Sequence, residues 1–466
     1  MHMPDPNTLV QPDKGQSART IHVIDAKGFD AWLNAQPPRH RTAAAAQKLA
    51  PSAYSSAILP GEGPEDWSVV TVVANAEKLS PWCLAKLAET LPEGAYRVEG
   101  VEPGKAIHGW LVAQYKFDTY KKDEKAPTGA RVLLTTDVAR IEEAVRIANA
   151  TYKLRDRINT GANDMGPADL EAAAADLVKA YGGQLSVVKG DEVEKGYGLL
   201  WAVGKAAGKG REPRLIEIEW GNPEHPKVAI IGKGVCFDSG GLDIKPASGM
   251  RLMKKDMGGA AHAMATAELI MSSRLPVRLH MLVPAVENSI NGEATRPGDI
   301  MRSRKGITVE NSNTDAEGRL ILADALTKAE EKAPELVIDY ATLTGAARVA
   351  LGADLQALFA NDDTLASELM AAAETEADPM WRLPLYDPYK EMLKSDVADM
   401  VNAAEAPFGG ALTAALFLKE FVPEKAQWAH LDIFCWNGSH KPGRPKGAEA
   451  VSLRAVWKVL KDRYAK

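Results

Sequence analysis

The stretch Asn313-Thr314-Asp315-Ala316-Glu317-Gly318-Arg319-Leu320 sets two carboxylates and a guanidinium at alternate positions. An amphipathic run, Leu320-Ile321-Leu322-Ala323-Asp324-Ala325-Leu326, follows at once and reads as a helix. If residues 313–319 are extended, Asp315, Glu317 and Arg319 point to the same side. Such a face makes a poor surface strand but a good set of metal ligands beside an anion-stabilising group. A helix cap with acids in its first turn is the structural alternative for these residues taken alone.

A second stretch supplies partners. Val228-Ala229-Ile230-Ile231 predicts a buried strand, and Gly232-Lys233-Gly234-Val235-Cys236-Phe237-Asp238-Ser239-Gly240-Gly241 a glycine loop where backbone approaches something closely. Lys245 lies a few residues on, and Asp256 opens Asp256-Met257-Gly258-Gly259-Ala260-Ala261, which leads into a helix. The candidate site then holds four carboxylates, Asp238, Asp256, Asp315 and Glu317, with Lys233, Lys245 and Arg319. Four buried carboxylates cannot stay ionised together without cations. Oxygen ligands suit Mg, Mn and Zn, and the chain has neither His-Glu-x-x-His nor Cys-x-x-Cys. One ion would not neutralise four acids. Two ions, roughly 3.5–4 Å apart, can share a bridging water and make it a nucleophile near neutral pH. His262, in an alanine-rich helix, and His430, in a strand pattern, read as packed or hydrogen-bonded residues rather than ligands.

The chain resembles the cytosol leucine aminopeptidase family, the two-metal leucyl aminopeptidases. The resemblance rests on Asn313–Leu320, Ile231-Gly232-Lys233-Gly234, Phe237-Asp238-Ser239-Gly240-Gly241 and Lys254-Lys255-Asp256-Met257-Gly258-Gly259-Ala260-Ala261. Ala341-Thr342-Leu343-Thr344-Gly345-Ala346 and Trp428-Ala429-His430-Leu431-Asp432-Ile433 follow in the family's order, and the likeness runs from about residue 138 to the end. It implies that Lys233, Asp238, Asp256 and Glu317 hold a tightly bound metal, and Asp238, Asp315 and Glu317 a more exchangeable one, with the Asp315 backbone carbonyl also used. Zn or Mn is expected, with Mg or Co as alternatives. Lys233 can ligate only when neutral, so the metals must depress its pKa. Lys245 matches the lysine that stabilises the oxyanion. Arg319 matches the arginine holding a bicarbonate, the general base of the family. Outside this pattern Lys233 and Lys245 would read as solvated lysines and Asp256 as a helix cap.

The resemblance also assigns substrate contacts to Met253, Thr342, Leu343, Thr344, Gly345, Phe434 and Asn437. Phe434 stands where relatives carry a small residue, and Asn437 where an apolar one is common. A phenylalanine takes up volume and an asparagine adds hydrogen bonding, so smaller or polar first residues of the substrate stand beside leucine as alternatives. The implied reaction releases the N-terminal amino acid from a peptide with a free N-terminus, in a homohexamer built as a dimer of trimers. A two-metal phosphoesterase finds little basic surplus here beyond Lys233, Lys245 and Arg319.

At 466 residues with 45% hydrophobic content, the chain can bury more than one core. A net charge of -6 argues against a nucleic-acid binder. Cys83, Cys236 and Cys435 are too few and scattered for a disulfide framework and suit a reducing cytosol. The polar start lacks a signal-peptide pattern, and no apolar run approaches the ~20 residues of a membrane span, so a cytoplasmic address is expected. The organisation expected is a disordered N-terminus over 1–18, a small α/β domain over 19–137, a joining helix over 138–162, and a catalytic domain over 163–466. Strand-like runs at 228–231, 279–286, 336–340 and 428–434, interleaved with helices, predict a mixed, largely parallel sheet flanked by helices.

Overall fold

The structure, a computed structural model, describes residues 4–121 and 129–465. The chain forms two compact units. The first contains residues up to Tyr152 together with Asn437–Lys446, and the second Lys153–Trp436 with Gly447–Lys466.

The first unit is built on a six-stranded sheet in the order Val10–Pro12, Arg131–Thr135, Gly94–Glu99, Arg19–Asp25, Trp67–Val73 and Ser56–Pro60. All pairs are parallel except the last. The β-branched run Val69-Val70-Thr71-Val72-Val73 suits a strand buried on both faces. The expectation of a disordered residue range 1–18 fails from Pro6 onward. Leu9 and Val10 are buried, and Val10–Pro12 adds to the sheet edge alongside Leu133–Thr135. Short helices of this unit include Ala85–Thr90 and Ala106–Val112. The excursion Asn437–Lys446 is tied in this unit by Glu89, which accepts from Gly443 N (2.8 Å) and meets His440 Nε2 (3.2 Å).

The second unit carries a nine-stranded sheet. Its order is Met380–Arg382, Gln356–Ala360, Gln427–Asp432, Leu336–Ala341, Lys227–Gly232, Arg278–Asn288, Arg214–Trp220 and Gln184–Lys189, with Gly234–Asp238 also on Arg278–Asn288. The middle four strands are mutually parallel, and antiparallel pairs lie towards both sides. The fold is therefore α/β, a smaller N-terminal domain and a larger one with a mixed, largely parallel sheet. Val228–Ile231 is buried at the sheet centre, as its uninterrupted apolar run predicts. The helix Gly258–Ser272 is buried through Met271; its small residues allow close approach to the sheet. A long helix, Val138–Asn159, lies within the range 138–162 where a joining helix is expected.

The residues 313–319 are not one extended segment. The helix Glu317–Glu330 begins at Glu317, because burial of Leu320–Leu326 carries the helical turn back to that residue. Two helical positions lie ~200° apart around the axis, so Glu317 and Arg319 do not share a face with Asp315 as a strand would have it.

Candidate metal centre

Lys233 and Asp238 sit where parallel strands end, where such sheets gather ligands, and Asp256, Asp315 and Glu317 come in at the starts of two helices. Lys233 follows Lys227–Gly232, and its own N–H donates to Tyr340 O (2.9 Å), so its position is set by the neighbouring strand. Asp238 closes Gly234–Asp238. Asp256 lies on a single 3-10 turn, Met253–Met257, directly before the buried helix. Asp315 precedes, and Glu317 opens, the helix Glu317–Glu330.

The side chains converge. Lys233 Nζ lies 2.7 Å from Asp256 Oδ2 and 2.8 Å from Glu317 Oε1, and donates to Thr342 O at 3.0 Å. Lys245 Nζ is 2.8 Å from Asp238 Oδ2 and also pairs with Asp315 Oδ1. Carboxylate oxygens of Asp238, Asp315 and Glu317 all lie within 4.8 Å of one another. Lys233, Asp238, Asp256 and Glu317 are each 2% exposed. A Cβ on Gly318 would come 2.6 Å from Lys233 Cε, so only glycine leaves that lysine its place. Gly240 turns the loop after Asp238 at φ +90, and its N–H donates to Asp238 Oδ1 (2.9 Å).

The electrostatics are unbalanced. Burial and then the charge of Asp238 push Glu317 up to about 8, and the same two causes push Asp315 up to about 6. Asp256 goes the other way: burial opposes ionisation, but Lys233 and Lys255 outweigh it and hold the carboxyl down to about 2. Burial lowers the Lys233 pKa, but Asp256, Glu317 and Asp238 more than reverse this and raise it, as Asp238 and Asp315 do for Lys245. Among the described residues, Asp256 Oδ2, Asp315 Oδ1 and Glu317 Oε1 accept no aligned hydrogen bond and face lysine ammonium groups. Hard oxygen donors that are buried, close and short of hydrogen bonds fit divalent cations, which remove the repulsion raising Glu317.

Arg319 is buried and drops to about 10 through desolvation, offset by Glu317 and Asp432. Its Nη1 donates to Asn402 O (2.8 Å), while its Nε has no hydrogen-bond partner among the described residues. An orphaned guanidinium N–H is an opening for an anion. His262 and His430 are hydrogen-bonded residues: His262 Nδ1 meets Gly258 O (2.6 Å), and His430 Nδ1 meets Asp339 Oδ1 (2.6 Å).

The loop expected to touch substrate is pinned beside the cluster. Thr342 Oγ1 donates to Asp256 Oδ1 (2.7 Å). Asp432 Oδ1 accepts from Leu343 N (3.0 Å) and Thr344 N (3.1 Å), and Thr344 Oγ1 donates to Asp432 Oδ2 (2.6 Å). Gly345 starts the helix Gly345–Leu351, capped by Thr344. Met253 is half-buried at the head of the turn bearing Asp256. Phe434 donates its N–H to Gln356 Oε1 (2.8 Å) and lies under Arg348 and Lys255, at 4.6 and 5.4 Å from its ring centre. Asn437 groups with the first unit, where its Nδ2 donates to Pro445 O (3.3 Å).

Several supporting residues escaped the sequence reading. Asn288 donates to Asp238 Oδ1 (2.9 Å) and Thr314 O (3.1 Å). Asp243 and Thr314 lace the two acidic loops: Thr314 N donates to Asp243 Oδ2 (2.7 Å), and Asp243 N to Thr314 Oγ1 (2.8 Å). Asn402 binds Ser312 N and Asn313 O through its side chain, at 2.8 and 2.7 Å. Of these Thr314 lies within a quoted motif and Asp243 beside one; Asn288 and Asn402 carry no local signal, being distant in sequence from what they hold.

Carboxylates and lysines converging at the strand ends of a covered, largely parallel sheet define a site of the metal-dependent hydrolase class. A family model described as the cytosol aminopeptidase family, catalytic domain, matches residues 153–457, and one for the M17 aminopeptidase N-terminal domain matches residues 20–135. A probable cytosol aminopeptidase of Roseiflexus castenholzii is 42% identical over 370 residues, covering 76% of this chain and 75% of its own. The crystal structure of the cytosol aminopeptidase from Coxiella burnetii superposes with a TM-score of 0.91 at 41% identity, covering 98% of this chain and 99% of that one. The bottromycin maturation enzyme BotP in complex with Mn gives 0.83 at 29% identity, covering 96% and 100%. This chain belongs to the cytosol aminopeptidase family of metal-dependent aminopeptidases, which are hydrolases.

Proposed function

We propose that the chain releases N-terminal amino acids from peptides at a centre of two divalent cations held by Lys233, Asp238, Asp256, Asp315 and Glu317. The observation that carries this is the convergence of the buried Asp238 and Glu317 with the more open Asp315, whose oxygens lie within 4.8 Å of one another. When bound, the cations supply Lewis acidity toward the scissile carbonyl and toward the attacking water. Zn or Mn is the expected occupant, with Mg or Co as alternatives; BotP was solved in complex with Mn.

Asp238 and Glu317 would serve both cations, and Lys233 would join the ligands only as the neutral amine. Lys245 supplies positive charge for the oxyanion that develops on the scissile carbonyl. Arg319 is proposed to hold bicarbonate at its orphaned Nε, where the anion would serve as general base. The chain's part in that step is to position the anion, with Asn402 O fixing the far side of the guanidinium. Thr342, Leu343, Thr344, Gly345, Met253, Phe434 and Asn437 are proposed to contact the substrate, with Phe434 reducing the room for its first side chain. A homohexamer arranged as a dimer of trimers and a cytoplasmic location belong to the same reading. Among the described residues no helix is long and apolar enough to cross a membrane.

The test is hydrolysis of aminoacyl p-nitroanilides after stripping with a chelator, with and without added Mn or Zn. Turnover that vanishes with the metal and returns with it is the expected result. Metal-independent turnover, or none on any substrate with metal bound, would overturn the reading.

A further inference from the structure

Arg348 lies in the last turn of the short helix Gly345–Leu351. Its guanidinium is placed against three residues of the proposed substrate site. Nη1 reaches Thr344 O only at 3.5 Å, Nη2 lies 3.6 Å from where a Cβ on Gly345 would stand, and the group sits 4.6 Å from the Phe434 ring centre. A guanidinium carries five N–H donors. Here one long hydrogen bond is its hydrogen-bonding, and no carboxylate lies within ion-pair distance among the described residues. The lysines of the site are matched: Lys233 and Lys245 to carboxylates, and Lys255 Nζ to Asp256 Oδ1 at 3.6 Å. Arg319 is tied to Asn402 O, and Arg348 is the cation beside the expected substrate loop that no carboxylate matches among the described residues. The aromatic contact restrains it, so less freedom is lost when it binds an anion.

We propose that Arg348 is a specificity-determining residue that receives a carboxylate of the peptide substrate. The inference rests on the aminopeptidase reading and deepens it. Two sources present that chemistry: the side chain of an aspartate or glutamate at the released position, and the C-terminal carboxylate of a dipeptide. Phe434, over whose ring the guanidinium lies, is an expected wall of the pocket for the first side chain, and an acidic residue there is consistent with a pocket narrowed by phenylalanine and lined with charge.

The experiment measures kcat/KM of the Mn-loaded full chain on two matched pairs. Glu against Gln p-nitroanilide reads the first source, and Leu-Leu against Leu-Leu amide the second. One carboxylate-bearing member is expected to be favoured about tenfold in the wild type, the scale of a partly solvated charge-assisted hydrogen bond. Arg348→Gln is expected to bring that ratio close to one, and Arg348→Lys to keep part of it. Equal rates within both pairs, or a preference that survives Arg348→Gln, overturn the inference; the wild-type comparison stands even if a variant misfolds. Turnover without carboxylate preference sinks this inference alone. Absence of turnover on all four substrates sinks it together with the aminopeptidase reading.

Discussion

Glu317 meets Lys233 at 2.8 Å, is buried, and is pushed up to about 8 by that burial and by Asp238. A carboxyl so placed gains most from a cation, so its loss should be felt first in metal content. Glu317→Ala and Asp238→Ala are expected to abolish p-nitroanilide turnover and to lower bound metal measured by mass spectrometry. Wild-type turnover in either would remove the metal assignment. Arg319→Ala should separate the two functions: turnover falls by about 10²-fold, the low end for a general-base contribution, while metal content stays near normal. Metal loss in that variant would mean that Arg319 supports the ligands rather than an anion.

At the scale of elements, the site depends on how closely helices approach it. Gly318, in the first turn of Glu317–Glu330, leaves room for Lys233. In Gly318→Ala the clash falls on the far end of a flexible side chain, so the melting temperature should move little. Lys233 must swing away, however, and misplacement of about 1 Å can cost about 10²-fold in rate. Unchanged activity would show that Lys233 does not need its present position. The helix Gly258–Ser272 offers a prediction about pH. His262 Nδ1 meets Gly258 O at 2.6 Å and its Nε2 accepts from Val451 N at 3.0 Å, which specifies the neutral ring protonated on Nδ1. Burial lowers its pKa from 6.5 to about 4, the Gly258 contact opposing. The unfolded chain therefore takes up this proton first as pH falls. The resulting loss of stability begins near 6.5 and is complete near 4. Between pH 7 and 5, chemical denaturation should show wild type losing about 2 kcal/mol more than His262→Gln, by linkage at ~1.4 kcal/mol per pKa unit. Equal losses would mean that His262 is not held neutral.

For the molecule as a whole, cations that bind only the folded chain must stabilise it. Added Mn at about 1,000 times its Kd should contribute about 4 kcal/mol and raise the melting temperature, and a chelator should reverse this. No shift would show that metal binding and folding are not linked. What local sequence determined is clear at this scale. Uninterrupted apolar runs such as Val228–Ile231 and Leu336–Ile338 mark buried parallel strands because neither face meets water, and the joining helix expected over 138–162 takes form as Val138–Asn159. Lys233 and Asp238 were legible for a related reason, because they follow one of those runs directly, and Asp315 and Glu317 because their motif stands directly before a helical run. Sequence did not show that the helix begins at Glu317, because tertiary burial of Leu320–Leu326 sets its start. Nor did it show that Val10–Pro12 joins a sheet, because its partner strand is more than a hundred residues away. Asn288, Asn402 and Arg348 act on groups remote in the chain or through side-chain geometry, and neither leaves a local pattern. Residue type and spacing thus determined the chemistry available to this protein. Only the folded backbone decided which charges would be neutralised by neighbours and which would be left to bind something else, since electrostatic pairing depends on distance in space and not along the chain.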